Sequence, residues 1–416
     1  MHEPDAVVTA DAPNPDRTPH GEARTHDGEI RAFVRRQVAL AELPAAAIVT
    51  ATQEYLAGDV NADRIAELTW PVVAEELTAH LTAQESWSAP TDSDRLTAAF
   101  RALSAAGVVA RENFTCCQNC GLGEIGAEVP PEVTPRSYAF YHQQDAEHAV
   151  DGSPVFLAYG LFEQPPSVQV GEEVAAALRA EGLTVHWNGD TGSRIQVPMV
   201  WRRRRVGRLA AVPPTTADDV EVDLELLTAW SGVHAPRGGA QSAARLAALH
   251  LPWMPVDARV RLSADSLTVT VRRERDALIG EYDDRRPATV GRYDGMVLLG
   301  RPRTTAPGPV DVLDATYEYS TGRGNAVALE AEEAVAIAHR LQPHTRDFLS
   351  CLGRSGGVVQ MGWEADRLWL ETPHPETATV TGRHVTLAEA ERMITILATE
   401  DRVAVLELGD TVTKPW

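Results

Sequence analysis

Three of the four cysteines in this chain lie within five residues, at Cys116, Cys117 and Cys120, and the fourth is Cys351. Clustered thiols bind metal ions, carry out redox chemistry or pack together in a tight turn. The spacing Cys117-x-x-Cys120 is that of a metal knuckle, in which two thiolates face one ion from a tight turn. Gly121 follows directly and supplies the flexible backbone that such knuckles need.

A zinc ion takes four ligands, so the cysteine pair needs further donors. His142 and His148 follow downstream and complete the pattern Cys-x2-Cys-x21-His-x5-His, and Glu124 offers a carboxylate oxygen. The gap between the histidines fits zinc-type patterns, whereas the connector of 21 residues is longer than in the usual finger. With zinc as the predicted ion, the predicted metal ligands are Cys116, Cys117, Cys120, His142 and His148.

Two other kinds of thiol chemistry stay open for this cluster. A redox sensor needs a thiolate of lowered pKa beside a resolving thiol, and the cluster supplies the neighbouring thiols. A nucleophilic pair between one of the cysteines and His142 needs an oxyanion hole, for which the sequence shows no motif. Packing of the thiols as small apolar groups is the remaining interpretation. The chain has no complete catalytic signature, so we favour a role without catalysis.

The histidines belong to the segment Tyr141-His142-Gln143-Gln144-Asp145-x-x-His148. This segment ends a predicted strand and enters a predicted helix, and α/β folds place their sites at such junctions. His142, Asp145 and His148 are therefore potential acid–base groups or ligands. The alternative is local, because Gln144 and Asp145 are also placed to cap the short helix while His142 occupies the strand end.

A dense basic segment, Trp201-Arg202-Arg203-Arg204-Arg205-Val206-Gly207-Arg208, is a potential site for phosphate or RNA. Alternation along a strand would divide these arginines between two faces. The net charge of −21, from 38 basic and 59 acidic residues, repels nucleic acid and anionic membrane. We therefore predict that the arginines pair with the protein's own acids, and that the partners of the chain include no nucleic acid and no membrane.

Cysteine usage and hydropathy predict a cytoplasmic protein. The clustered cysteines do not form a disulfide framework, which points to a reducing compartment. Residues 1–28 lack the apolar core of a secretory signal, and no run approaches the ~20 apolar residues of a membrane span. Lys414 is the only lysine, and the preference for arginine is typical of a GC-rich bacterial genome.

The order of periodic segments predicts an α+β protein with two domains. The N-terminal domain is a helical bundle that leads into a β-α-β-α-β-β sandwich, and the C-terminal domain is mixed α+β. The predicted divisions are a disordered tail over 1–28, the cysteine-cluster domain over 29–211, a linker over 212–250 and the C-terminal domain over 251–416.

Some elements are marked by local signals. Thr91 is a cap-type residue before one apolar stripe, and Thr386-x-x-Glu389 is a capping box before the last helix. Alternating or short apolar runs predict strands over 183–187, 295–299 and 403–408.

The motifs Phe114-Thr115-Cys116-Cys117-Gln118-x-Cys120-Gly121, Tyr141-His142-Gln143-Gln144-Asp145 and Leu157-Ala158-Tyr159-Gly160 resemble the uncharacterised actinobacterial family called domain of unknown function 6891. The resemblance covers about residues 29–206 and implies no activity, since none is assigned to that family. The pattern Gly382-Arg383-His384-Val385-Thr386-x-x-Glu389-Ala390 in the C-terminal half is similar to immunity proteins of bacterial toxin systems.

These observations predict a cytoplasmic binding or regulatory protein whose cysteine cluster holds zinc. The acidic charge and the C-terminal resemblance allow a second function, an immunity-type protein that neutralises a basic toxin as its protein partner. A thiol-dependent redox sensor or enzyme is the third.

Overall fold

The computed structural model describes residues 19–58, 61–129, 135–162, 164–165, 167–215, 219–233, 235–302, 312–319, 322–323 and 326–416. Its helical region comes first and sheet-rich regions follow, which confirms the predicted α+β class. Across these ranges we find no helix that combines the length and the apolar character of a membrane-spanning segment.

The four N-terminal helices are amphipathic; the first three share one core, and the fourth packs in the core of the first sheet. Their bounds are α1 (Pro19–Leu40), α2 (Ala45–Tyr55), α3 (Ala62–Glu85) and α4 (Asp92–Ala105). The predicted cap at Thr91 is present, because its hydroxyl accepts from Asp94 N while the Asp94 carboxylate accepts from Thr91 N. Ile30, Val34 and Ile48 are fully buried between α1, α2 and α3.

The first sheet carries the cysteine segment. Its strands, in the order β1-β2-β3-β4, are β1 (Val108–Arg111), β2 (Ser137–Phe140), β3 (Val155–Leu161) and β4 (Ile195–Val197). The helices between them are α5 (Gln118–Glu124), α6 (Gln143–Val150) and α7 (Val168–Ala180). β1 and β2 are parallel and the other pairs antiparallel, so the C-terminal ends of β1 and β2 lie at one edge.

The predicted strand over 183–187 is wrong. This segment keeps the predicted alternation, because Leu183 is buried and Val185 and Trp187 pack against the same core. Only one bridge forms, between His186 and Gln196. The alternation in the sequence therefore predicted correctly which side chains face the core. It did not establish that the segment forms a continuous ladder of hydrogen bonds with a neighbouring strand.

The second sheet has the order β10-β9-β8-β7-β5-β6. Its strands are β5 (Glu221–Leu226), β6 (Gly239–Ser242), β7 (Arg259–Ala264), β8 (Leu267–Glu274), β9 (Ala277–Tyr282) and β10 (Ala288–Gly291), and the helices are α8 (Ala243–Leu249) and α9 (Gly295–Leu298). The strand predicted over 295–299 is wrong, since α9 begins there. A short apolar run buried on all sides fits either element.

The segment 212–250, predicted as a linker, contains β5, β6 and α8. Val222 and Leu224 of β5 are buried and pack in the core of the second sheet. Pro213-Pro214, which suggested a linker, precede β5, and Gly238-Gly239 lead into β6, which pairs antiparallel with β5. Part of the predicted tail over 1–28 also differs, because residues from Pro19 onward belong to α1, while residues 1–18 lie outside the described ranges. How the chain divides into independent folding units stays a prediction.

The third sheet has the order β12-β11-β14-β15-β16-β17-β18, with β13 also paired to β11. Its strands are β11 (Val312–Tyr319), β12 (Gly322–Arg323), β13 (Val327–Glu330), β14 (Phe348–Leu352), β15 (Val358–Glu364), β16 (Arg367–His374), β17 (Thr379–Val385) and β18 (Val412–Pro415), and α10 (Ala331–Arg340) and α11 (Leu387–Glu400) cover one face.

Of two predictions near the C-terminus, one is confirmed and the other is wrong. The capping box of Thr386 and Glu389 starts α11 as predicted. The strand predicted over 403–408 is wrong, because Val405–Leu408 is a 3-10 helix and the closing strand is β18. Val405 of that run is buried in the core. A single turn of helix can bury an apolar residue as well as a strand can.

A buried ion pair joins the sheet-rich C-terminal region to the segment after the first sheet. The Arg208 guanidinium donates to Glu333 of α10 at 2.8 Å, and the two side chains are 2% and 4% exposed. Gly207 permits this approach, because its φ is +53° and a Cβ there would lie 2.3 Å from a Glu333 oxygen.

Candidate metal centre

The loop with the cysteines and the start of α6 are neighbours at the edge where β1 and β2 end. Phe114 N donates to Tyr141 O at 2.8 Å, and Gln143 N donates to Thr115 O at 3.0 Å. Because β1 and β2 are parallel neighbours, the loops that follow them lie side by side. The cysteine loop is therefore anchored to the sheet by main-chain hydrogen bonds on both sides of Phe114.

The backbone of this loop reverses direction just before the thiols. Asn113 and Thr115 have φ of +46° and +59°, in the left-handed region that residues with a Cβ seldom adopt. Phe114 lies between them and packs edge-on against Phe140, with ring centroids 5.8 Å apart. The buried aromatic contact and the main-chain hydrogen bonds hold the unusual conformation, which directs the next residues into the turn.

Gly121 serves this turn by its small size, and not by the flexibility that the sequence suggested. Its φ is not positive, but a Cβ on it would lie 2.4 Å from the ring of Phe140. The missing side chain lets α5 rest directly on the sheet, which sets the position of Cys120 one residue earlier.

The three clustered thiols converge in space. Cys120 Sγ lies 3.4 Å from Cys116 Sγ and 3.5 Å from Cys117 Sγ, and all three sulfur atoms lie within 4.8 Å of one another. Corners of a tetrahedral zinc site with Zn–S bonds of ~2.3 Å are about 3.8 Å apart, so three corners fit with small movements. Cys116 is exposed and the other two thiols are partly exposed, which argues against simple core packing. We call these three residues the thiol group.

Hydrogen bonds within the thiol group shift the pKa values of Cys117 and Cys120 in opposite directions. The Cys120 N–H, which donates to Cys117, and the Cys120 thiol lower the pKa of Cys117. Hydrogen bonds with Cys116 and Cys117, followed by their charges, raise the pKa of Cys120 to about 12. Adjacent thiolates without a cation oppose further ionisation, and a bound metal ion removes that penalty by releasing the protons.

His142 is engaged by the first turn of α6. Its Nδ1 accepts from Asp145 N at 3.3 Å, its Nε2 lies 3.0 Å from an Asp145 carboxylate oxygen, and Asp145 accepts from His142 N. Burial lowers the pKa of His142, and Arg194 and His148 add to the effect against the opposing charge of Asp145. His142 and Asp145 thus form a capping box. The local alternative above gave the cap to Gln144 and Asp145, whereas the N-cap residue is His142.

The thiol group contains neither His142 nor His148, and the part of these two histidines in the predicted ligand set stays a prediction. Among the described side chains, the group with mutually close ligand atoms consists of three cysteines. His148 is in the last turn of α6, roughly 9 Å further along the axis than His142 by the rise of a helix. Histidine spacing in the sequence could not show this, because the helix separates the two rings.

Arg194 was missed from the sequence, although it completes the cluster beside the loop. Its guanidinium donates to both Asp145 oxygens at 3.1 and 3.0 Å and stacks on Phe156 at 5.0 Å. It is 49 residues away from Asp145 in the chain, directly before β4, which pairs with β3. No local pattern marks it, and only the sheet brings it to α6.

A second network fixes the base of the cysteine loop. The buried Tyr141 hydroxyl donates to Glu112 at 3.2 Å, and Arg203 donates to the same Glu112 oxygen at 2.7 Å and to the Tyr141 oxygen at 3.0 Å. Burial raises the pKa of Tyr141 well above its ordinary value, so this hydroxyl stays protonated. The Glu112 carboxylate is thereby held directly before the loop.

The other arginines of the segment 202–208 also have partners within the protein. Arg202 stacks on Trp87 and Arg204 pairs with Asp94 at 3.3 Å. Arg205 is buried and Arg208 pairs with Glu333, as described above. The contacts agree with the predicted internal role, although the segment is not the predicted strand. The absence of nucleic-acid partners stays a prediction.

A cleft of about 1170 Å³ lies between α3, α4 and the outer faces of α10 and α11. The thiol group is not part of its lining. Several charged side chains in the lining have partners within the protein: Arg204 pairs with Asp94, Glu333 pairs with Arg208, and His339 contacts Glu391. Because these charges already satisfy one another, the thiol group is the stronger candidate for a functional site.

The pH dependence of folding should report on His80, a half-buried residue of α3 whose Nε2 lies 3.0 Å from Arg203 O. Burial lowers the pKa of His80 below its ordinary value of 6.5, and Arg205 adds to this. As the pH is lowered, the unfolded chain therefore binds the proton at a higher pH than the folded protein does. The contribution of neutral His80 to the free energy of unfolding is fully present above pH 6.5 and decreases as the pH falls below that value. We expect His80→Gln, which keeps a side-chain donor, to lose less stability than the wild type on acidification.

Urea unfolding at about pH 7.5 and about pH 5.5 measures this difference. Part of the dependence should remain in the variant, because burial also lowers the pKa of His142. Equal losses in the wild type and in His80→Gln would contradict the assignment to His80.

Residues 23–205 match the family described as Domain of unknown function (DUF6891). The match includes the thiol group, the capping box of α6 and most of the arginine segment, and it agrees with the resemblance seen in the motifs. No curated protein and no solved structure matches the chain. The matched family has no function in its description, so the function must be argued from the geometry. The actinobacterial source and the similarity to immunity proteins stay predictions.

Proposed function

We propose that this protein binds zinc through Cys116, Cys117 and Cys120 and works as a binding or regulatory protein. The convergence of three sulfur atoms within 4.8 Å, on a loop that the sheet holds in place, carries the proposal. Thiolates are preferred zinc ligands, and the sulfur spacing is close to that of three tetrahedral corners. When bound, the ion would neutralise the repulsion that raises the pKa of Cys120.

The same geometry supports an open site in place of the closed structural site that the Cys–His pattern suggested. Three ligands come from the described side chains, so water or a small exogenous ligand would complete the coordination. The loop is held by Phe114, its main-chain hydrogen bonds and the Glu112 network, all of which are independent of an ion. We therefore assign the ion to binding and not to maintenance of the fold.

Metal analysis combined with thiol titration tests the proposal. Protein reconstituted with zinc under reducing, anaerobic conditions should hold about one equivalent per chain. The thiol group should then react slowly with a thiol reagent and react quickly once a chelator is added. Cys351 is an internal control, because it is fully buried in the core of the third sheet and burial raises its pKa to about 12.

Failure of zinc to remain bound after gel filtration, with the thiol group reacting equally fast with and without zinc, would refute the proposal. The immunity-type protein partner and the cytoplasmic location predicted from the sequence are not needed for this test.

A further inference from the structure

Cys120 is the common neighbour of the other two thiols. Its sulfur lies 3.4 Å from that of Cys116 and 3.5 Å from that of Cys117. These contacts are between residues four and three positions apart, so neither pair is adjacent in the chain. A small movement of Cys120 therefore suffices to join it to either partner.

The remaining combinations are unfavourable. Cys116 and Cys117 are adjacent, and a disulfide between adjacent cysteines is strained because the bond demands a specific separation and dihedral angle. Cys351 is buried in β14, at the centre of the core of the third sheet. Any disulfide formed without unfolding should therefore contain Cys120.

The thiol group is also accessible to an oxidant from solvent. Cys116 is exposed, and Cys117 and Cys120 are partly exposed on the loop. A small peroxide can reach these sulfur atoms from solvent, whereas the core of the third sheet excludes it from Cys351.

We propose that the thiol group is a peroxide-responsive switch, in which hydrogen peroxide converts Cys120 and one of its two neighbours into a disulfide and the protein releases zinc. The release step rests on the proposed function, whereas disulfide formation does not. It follows from the positions of the three sulfur atoms and their exposure.

The chemistry balances with peroxide as the oxidant. The thiolate of Cys116 or Cys117 attacks one peroxide oxygen, the O–O bond breaks, and the leaving hydroxide takes a proton to give water, so that a sulfenic acid forms. The Cys120 thiol then attacks that sulfur, the S–S bond forms, the S–O bond breaks, and the proton of the Cys120 thiol goes to the leaving hydroxide to give a second water. Two thiols supply two electrons, and peroxide is reduced to two waters.

Loss of zinc follows from the loss of ligands. A disulfide sulfur is a much poorer zinc ligand than a thiolate, so oxidation leaves one thiolate of the original three. Cellular thiols reduce an exposed disulfide by exchange, and reduction restores the three ligands.

The test uses the full-length wild type and the variants Cys116→Ser, Cys117→Ser and Cys120→Ser, with Cys351→Ala as the control. Metal-free proteins are treated with hydrogen peroxide, remaining thiols are alkylated, and the disulfides are mapped by peptide mass spectrometry. We expect a Cys117–Cys120 disulfide in Cys116→Ser and a Cys116–Cys120 disulfide in Cys117→Ser. Cys120→Ser should stop at a sulfenic acid that dimedone traps.

Zinc release is then measured on zinc-loaded wild type and Cys351→Ala with a chromogenic chelator present during peroxide addition. Release that keeps pace with disulfide formation in both proteins supports the switch. A disulfide in Cys120→Ser, or bound zinc that peroxide leaves in place without any disulfide, overturns the switch while the zinc proposal stands. Disulfides with the expected pattern in a protein that never bound zinc overturn the proposed function and the release step together.

Discussion

Replacement of Cys120 by serine is expected to remove high-affinity zinc binding. Cys120 is the thiol closest to both Cys116 and Cys117, so the variant loses the ligand that the other two share. Changes in residues that only support a metal ligand already cost 10–100-fold in affinity, and we expect loss of this ligand to weaken binding by at least ~100-fold. Competition with a chromophoric chelator at fixed pH measures the affinity.

Cys351→Ala is the matched control, because it also removes one thiol but lies in the core of the third sheet. Its zinc affinity should equal that of the wild type. Without zinc, Cys120→Ser should unfold at nearly the same urea concentration as the wild type, since the thiol is partly exposed and the loop is held by other contacts. Wild-type affinity in Cys120→Ser would refute the three-thiol site, and collapse of the metal-free variant would refute the independence of the fold from the ion.

The largest expected effect on stability comes from Arg205→Met. Arg205 is 1% exposed and donates to four carbonyl oxygens, those of Val38 at 2.8 Å, Leu209 at 2.6 Å, Leu43 and, at the longer distance of 3.5 Å, Gln37. Burial lowers the pKa of this guanidinium to about 9, which still leaves it charged at neutral pH. Val38 O at the end of α1 also accepts from Ala41 N at 3.2 Å, whereas Leu43 and Leu209 lie outside that helix.

Methionine preserves much of the volume of arginine but cannot donate, so the Leu43 and Leu209 carbonyls would lose the donor that Arg205 supplies, while Val38 O would keep its hydrogen bond from Ala41 N. Each buried acceptor without a partner costs ~1–3 kcal/mol, and we expect the variant to lose on the order of 3 kcal/mol in the free energy of unfolding. Urea denaturation followed by circular dichroism measures the loss.

Arg204→Met is the control from the adjacent position. Arg204 is 29% exposed and pairs with Asp94, which is 45% exposed, so this ion pair should contribute less than about 1 kcal/mol. Similar losses in both variants would show that the carbonyl contacts of Arg205 have no special role. A loss below that of Arg204→Met would contradict the prediction outright.

The arginine segment shows how a sequence feature can be interpreted correctly in kind and remain incomplete in detail. Charge balance indicated that these arginines pair within the protein, because a chain with a net charge of −21 has many acids to offer. Arg205, however, bonds to carbonyl oxygens, which every residue has and no residue type marks. Arg208 reaches Glu333, which is 125 residues away, so the pair depends on how the third sheet docks.

The candidate site likewise has some features that the sequence predicted and others that it could not predict. The convergence of Cys117 and Cys120 was predictable, because two residues three positions apart at the start of a helix are always near each other. The roles of His142 and His148 were not, since one ring was required to cap α6 and the other lies two turns further along it. Arg194 and the Glu112–Tyr141–Arg203 network lacked any local signal, because their members come from separate strands and loops.

By itself, the sequence determined the features that neighbouring residues decide among themselves. These are the capping boxes at Thr91 and Thr386, the amphipathic faces of the helices and the proximity of the thiols. Only the tertiary structure decided the element type of the short apolar runs, the use of segment 212–250 in the second sheet and the engagement of His142 in the cap of α6. The physical reason is range: caps and helix faces depend on contacts within a few residues, whereas strand pairing and buried polar partners depend on which distant segments the fold brings into contact.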